Sequence, residues 1–223
     1  MCGRYTLASD IDELLALWGI EVPEELAHPR RYNIAPSQPV LAMVADPLPR
    51  VDVMEWGFVP TWARPDSNMK PVINARVESL AEKKPYFRGA FKSARCAILA
   101  DGFYEWKKVP GGKQPYHIGR TDGGLFAMAG LWSHMAIPGG GEQLTCAIVT
   151  IEPNALMREI HNRMPAILRP DDVGIWLDPR TSERDLFTTL TPYPTEEMTA
   201  YEVGHAVNSP DHDDPSLIEP RDE

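Results

Sequence analysis

What most limits the fold of this chain is a succession of short runs rich in apolar, β-branched and aromatic residues, punctuated by glycine and proline. The runs are Pro39–Ala45, Val51–Trp56, Arg95–Ala100, Phe103–Lys107, Pro115–Gly119, Leu125–Trp132 and Leu144–Ile151. Their lengths suit strands, and joints such as Pro110-Gly111-Gly112 and Pro138-Gly139-Gly140-Gly141 suit antiparallel hairpins. Helices are expected at the periphery, over Val77–Lys83, Pro153–Glu159 and Pro170–Leu177. A further helix should follow Ser9, with acid at Asp10, Asp12 and Glu13 in its first turn and an apolar face of Ile11, Leu14, Leu15 and Trp18 before a stop at Gly19. The expected class is α+β: a mainly antiparallel sheet curled into a barrel-like core, with peripheral helices.

Charge divides the chain. Residues 171–223 hold 14 Asp+Glu against 3 Arg, which leaves 18 acids and 19 bases in residues 1–170, so the net charge of −10 belongs to the C-terminal quarter. The body is near neutral and can carry a local basic groove. From about Asn208 the sequence is Asp-, Pro- and Glu-rich with little to bury. We therefore expect one domain over residues 1–207 and an acidic, mobile tail over 208–223. No apolar run reaches the roughly 20 residues of a membrane helix, and the N-terminus lacks a signal-peptide pattern. A cytoplasmic monomer is the expectation. Three cysteines do not make a disulfide framework; Cys96 and Cys146 read as small apolar strand residues.

Cys2 is different because it follows the initiator Met1. Removal of Met1 would leave an α-amine and a thiol on adjacent carbons, with ordinary pKa values of about 7.7–8.0 and about 8.5. A 1,2-aminothiol reacts with an aldehyde through an imine that the thiol then closes into a five-membered thiazolidine. Gly3 keeps side-chain bulk away from the nucleophile. Met-Cys-Gly also opens amidotransferases in which an N-terminal cysteine attacks an amide, and the first residues alone do not separate the two chemistries.

Longer blocks do. Met1-Cys2-Gly3-Arg4-Tyr5 is followed by Tyr32-Asn33-Ile34-Ala35-Pro36, Trp56-Gly57-Phe58-Val59-Pro60-Thr61-Trp62 and Ile73-Asn74-Ala75-Arg76-Val77-Glu78. Then come Cys96 through Trp106, including Asp101-Gly102-Phe103-Tyr104-Glu105-Trp106, and His161-Asn162-Arg163-Met164-Pro165. In this order, to about residue 208, the blocks resemble the SRAP family, the SOS response-associated peptidase domain. The resemblance implies a barrel-like α+β fold with a DNA groove. It also implies a sensor that becomes crosslinked through Cys2 to abasic sites in single-stranded DNA, and removal of Met1 by self-processing.

The resemblance also assigns roles. Glu105, set among aromatics, should have a raised pKa and move protons near neutrality; the family match directs it to the Cys2 amine and to any Met1 cleavage. His161 would protonate the sugar ring oxygen as the ring opens, and Asn74 would orient a hydroxyl or the aldehyde oxygen. Arg4, Arg76 and Arg163 are candidates for phosphate contacts, and Trp106 and Trp62 for stacking on bases. Asn33, Pro36 and Thr150 are expected to line the groove. Scattered histidines and the lack of a CxxC pairing argue against a metal site, and no cofactor is expected. Two rivals remain at this point: a peptidase or amidotransferase acting on amides in trans, and a single-strand binding module in which Cys2 is incidental.

Overall fold

The computed structural model describes residues 2–12, 20, 29–45, 49–64, 69–137 and 140–221. The helix expected after Ser9 falls mostly outside these residues. In chain order the strands begin with β1 (Tyr5–Leu7), β2 (Arg31–Ile34), β3 (Pro39–Val44), β4 (Arg50–Trp56) and β5 (Asn74–Arg76). They continue as β6 (Arg95–Ala100), β7 (Gly102–Val109), β8 (Gly112–Arg120), β9 (Phe126–Ala136) and β10 (Glu142–Ile151). The short β11 (Met164–Pro165), β12 (Ile167–Leu168) and β13 (Met198–Glu202) complete them. The helices are α1 (Val77–Ala81), α2 (Pro85–Ser93), α3 (Ala155–Arg158), α4 (Pro170–Leu177) and α5 (Glu183–Thr189).

The hairpins fall where glycine and proline punctuate the sequence. Between β7 and β8, Val109 pairs with Gly112 and Gly111 takes φ +87°, a left-handed conformation that glycine reaches without a Cβ clash. The antiparallel order β13-β8-β7-β1-β2 makes one sheet. The second sheet closes on itself. β10 pairs with β9 on one edge and β4 on the other, and the pairs β4–β3, β3–β6 and β6–β9 complete a five-stranded ring.

The β10–β4 junction is parallel, and β5 continues along the same edge of β10, also parallel. The barrel is therefore mixed at β10. A five-stranded ring has a narrow interior, and its residues are correspondingly small. A side chain at Gly130 would place its Cβ 2.7 Å from Cys96 Sγ on the paired strand. Cys96 and Cys146 are free, fully buried and packed in the core, as apolar residues would be.

Helix α4 spans the expected residues, and α1 ends at Ala81, two residues short of the expected Lys83. α3 starts at Ala155 rather than Pro153, because Asn154 caps it by accepting from the Met157 N–H at 2.9 Å. No described helix is long and apolar enough to cross a membrane.

Residues 208–221, expected as a mobile tail, are packed onto the first sheet. Leu217 is buried with Val203, Val207 and Tyr104 in a second small core. The Asp213 carboxylate accepts from the Tyr32 and Asn33 N–H groups and from Arg31 Nε. Composition pointed the other way because the acids of this segment bond main-chain donors and one arginine, while a single leucine supplies the apolar anchor.

Candidate functional site

Four residues from distant parts of the sequence meet where β1 and β7 of the first sheet approach β5 of the second. Cys2 enters just before β1 and is fully buried. Its carbonyl accepts a 2.9 Å hydrogen bond from Asn74 Nδ2, which ties the start of the chain to β5. Its Sγ lies 3.8 Å from the Arg4 carbonyl. Burial holds the thiol well above the usual cysteine range, and the nearby Glu105 carboxylate adds to the effect. The thiol is therefore protonated at neutral pH.

Glu105 sits on β7, opposite Tyr116 of β8, and is 2% exposed. Burial raises its pKa from 4.5, against the opposing positive charge of the N-terminal amine and, after it, of His161. His161 follows α3, and its Nδ1 stands 3.8 Å from Glu105 Oε1. That nitrogen accepts the Arg163 N–H at 3.1 Å, which leaves the proton of the neutral ring on Nε2. The Arg163 carbonyl lies 3.3 Å from the same nitrogen.

Parallel pairing of β5 with β10 sets Asn74 beside Ile148 and Arg76 beside Thr150, so these side chains share one face. Asn74 Oδ1 and Thr150 Oγ1 are both buried without a hydrogen-bond partner among the described residues. Buried polar atoms left unpaired are uncommon in native folds, and two on one face, one of them on the residue hydrogen-bonded to Cys2, suit a bound group that donates hydrogen bonds. Arg76 is exposed at the end of β5. Arg163 is held: Nη1 and Nη2 engage both oxygens of Glu78 at 2.6 and 3.0 Å, and Nη2 also reaches the Thr150 carbonyl at 2.6 Å.

The remaining expected residues divide. Trp106, two residues along β7 from Tyr104, is half-buried and donates its indole N–H to Asn208 Oδ1 at 2.8 Å. Arg4 is committed within the fold: its guanidinium donates to Asn33 Oδ1 and to the carbonyls of Val207 and Asn208. Asn33 is buried and donates to the carbonyls of Val207, Ser209 and His212. These two residues brace the C-terminal segment: the Asn33 amide is wholly committed to it, and the Arg4 guanidinium spends three of its N–H groups on Asn33 and that segment. Pro36 lies in the turn from β2 to β3, where Ser37 adopts φ +67°. Trp62 is 58% exposed and meets Tyr86 edge-on at 6.2 Å beside a cavity of about 290 Å³. No contact ties Pro36 or Trp62 to the Cys2 cluster among the described residues.

Sequence reasoning missed two contributors. Glu78 holds Arg163, and its place in the Asn74–Glu78 block was the available signal. Asn208, the partner of Trp106, was hidden in a stretch read as tail.

Comparison with known proteins adds the following. A sequence model of a family described as SOS response associated peptidase (SRAP) matches residues 1–210. The chain is 43% identical over 224 residues to the abasic site processing protein YoqW of Bacillus subtilis, covering 98% of this chain and 99% of that protein. It is 30% identical over 227 residues to the abasic site processing protein YedK of Escherichia coli, covering 99% and 100%. Among solved structures, a Bacteroides thetaiotaomicron protein superposes with a TM-score of 0.88 at 26% identity, covering 99% of this chain and 100% of that one.

Proposed function

This chain belongs to the SOS response-associated peptidase family, and from that premise we propose that it captures abasic sites in single-stranded DNA as a covalent crosslink through Cys2. The observation that carries this reading is the convergence of buried Cys2, Asn74 and Glu105 with part-exposed His161 in one cluster. Two relatives named for abasic site processing support the choice of substrate.

With Met1 removed, the α-amine of Cys2 attacks the C1′ aldehyde of the ring-opened sugar to give a carbinolamine. Protonated Glu105 donates a proton to the departing hydroxyl and then, as the carboxylate, takes up the N–H proton, so water leaves and an imine forms. The Cys2 sulfur then bonds to C1′ while the S–H proton passes to nitrogen, and the thiazolidine closes with no oxidant or reductant. A thiol held protonated by burial suits this order, in which the amine attacks first and sulfur closes second. His161 supplies the proton that opens the sugar ring, and Asn74 Oδ1 and Thr150 Oγ1 receive or orient the hydroxyls. Glu105 also serves as the base for removal of Met1 by the chain itself. Arg76 contacts phosphate, Trp106 stacks on a neighbouring base, and Trp62 and Pro36 extend the contact surface. The protein acts as a monomer in the cytoplasm, and the adduct shields the lesion during the DNA damage response.

The test is a denaturing gel of the purified chain with a single-stranded oligonucleotide carrying one abasic site. A band that survives denaturation, requires the abasic site and disappears in Cys2→Ala is expected. Hydrolysis of amide substrates with no DNA adduct would point instead to a peptidase or amidotransferase acting in trans. Single-strand binding that is indifferent to Cys2→Ala, with no adduct, would leave a binding module.

A further inference from the structure

We infer that Asn208 is a positioning residue of the DNA-facing surface: its side chain fixes the indole of Trp106, while its main chain belongs to a strap that is held independently. The inference rests on the crosslinking reading above.

An indole has one hydrogen-bond donor, and in Trp106 that donor is given to Asn208 Oδ1 at 2.8 Å. That bond at the ring edge, added to the packing of the indole against the second small core, limits how the ring turns about its link to the main chain. It therefore decides which face of the half-buried indole is presented. Trp106 directly follows Glu105 on β7, so its ring leaves the opposite face of the strand from the carboxylate, the face it shares with Tyr104 and the second small core.

The strap that carries Asn208 needs nothing from the Asn208 side chain. Asn33 Nδ2 donates to the carbonyls of Val207, Ser209 and His212. Arg4 donates to the carbonyls of Val207 and Asn208. Asp213 takes the main-chain donors of Tyr32 and Asn33. Val207 and Leu217 are buried against Tyr104. All of these contacts use main-chain carbonyls or other side chains, so they survive substitution at 208. The bond to Trp106 is the one that such a substitution removes. A segment that looks by composition like a disposable acidic tail thus sets the geometry of a binding residue about a hundred positions earlier in the chain.

The test uses the full chain labelled with 15N at the indoles, the Trp106 indole N–H resonance being assigned through Trp106→Phe. Asn208→Leu should move that resonance toward a water-exposed position and leave the melting temperature close to wild type. Asn208→Asp retains an acceptor and should restore the resonance. In single-turnover crosslinking, Asn208→Leu should raise the DNA concentration for half-maximal rate about three- to tenfold, a part of what one base stack is worth, with the maximal rate much less affected. An indole resonance unmoved by Asn208→Leu would overturn the inference, as would a moved resonance with an unchanged half-saturation concentration. A large loss of melting temperature would make the contact structural and would also overturn it. If the wild-type chain formed no adduct at all, the crosslinking reading would fail first and take this inference with it.

Discussion

Replacing Glu105 with glutamine should separate chemistry from stability, because the two respond in opposite directions. Glu105 is almost wholly buried, and burial lifts its pKa above 4.5, with the N-terminal amine and His161 only partly offsetting the shift. A carboxyl whose folded pKa is raised binds more protons in the folded state than in the unfolded state. Stability is then greatest below the unfolded pKa and declines as pH rises through the folded pKa. Each tenfold change in the ionisation constant is worth about 1.4 kcal/mol. Glu105→Gln removes that cost and keeps the shape. The variant should therefore be as stable as wild type or more so at pH 7.5, with its advantage shrinking below pH 4.5. Its crosslinking rate should fall by about 100-fold or more, the usual contribution of a positioned proton donor. Thermal melts at pH 4 and 7.5, with single-turnover crosslinking on an abasic oligonucleotide, read both quantities. A rate within about threefold of wild type, or a loss of more than about 2 kcal/mol at pH 7.5, would refute the reasoning. Either result would make Glu105 one half of a structural ion pair with His161, 3.8 Å away.

Other predictions follow from the same geometry. Asn74→Leu leaves the buried Cys2 carbonyl without its 2.9 Å donor, so stability should fall by about 1–3 kcal/mol in a denaturant titration and crosslinking by at least tenfold. Arg76→Gln should reduce the slope of log affinity against log salt for single-stranded DNA by about 0.7, as expected for one lost phosphate contact, with little change in melting temperature. Arg163→Gln should behave differently and lower the melting temperature, because it breaks the bidentate pair with Glu78 and the bond to the Thr150 carbonyl. Deleting residues 209–223 should cost at least the roughly 1.5–3 kcal/mol of burying Leu217, and an unchanged melt would restore the view of this segment as a loose tail.

The strand-rich fold was legible because its signals are local: short apolar runs and Gly-Pro joints fix the β7–β8 and β9–β10 hairpins. The parallel pairing of β10 with β4 and β5 was not, since it joins segments some 75 to 90 residues apart and leaves no trace in local periodicity. Helices α2 and α5 were also unread. Proline opens α2, and its two buried phenylalanines, Phe87 and Phe91, are an i, i+4 pair too brief to stand out. At the site, the family blocks pointed to Cys2, Asn74, Glu105 and His161, whose proximity the fold then supplies. They also pointed to Arg4 and Asn33 as DNA contacts, and within the fold both hold the C-terminal segment. A residue type and its motif indicate that a side chain has a fixed role, while its partners reveal whether that role faces a ligand or the protein's own main chain. The same limit hid Asn208, whose partner lies on β7 about a hundred residues earlier.

The most direct test of the central claim is the intact mass of the species formed with an abasic single-stranded oligonucleotide. The account predicts a mass equal to the protein without Met1 plus the oligonucleotide, less one water, with fragmentation placing the attachment on Cys2. An adduct on a lysine, an adduct that retains Met1, or no adduct from a chain that has lost Met1 would contradict it.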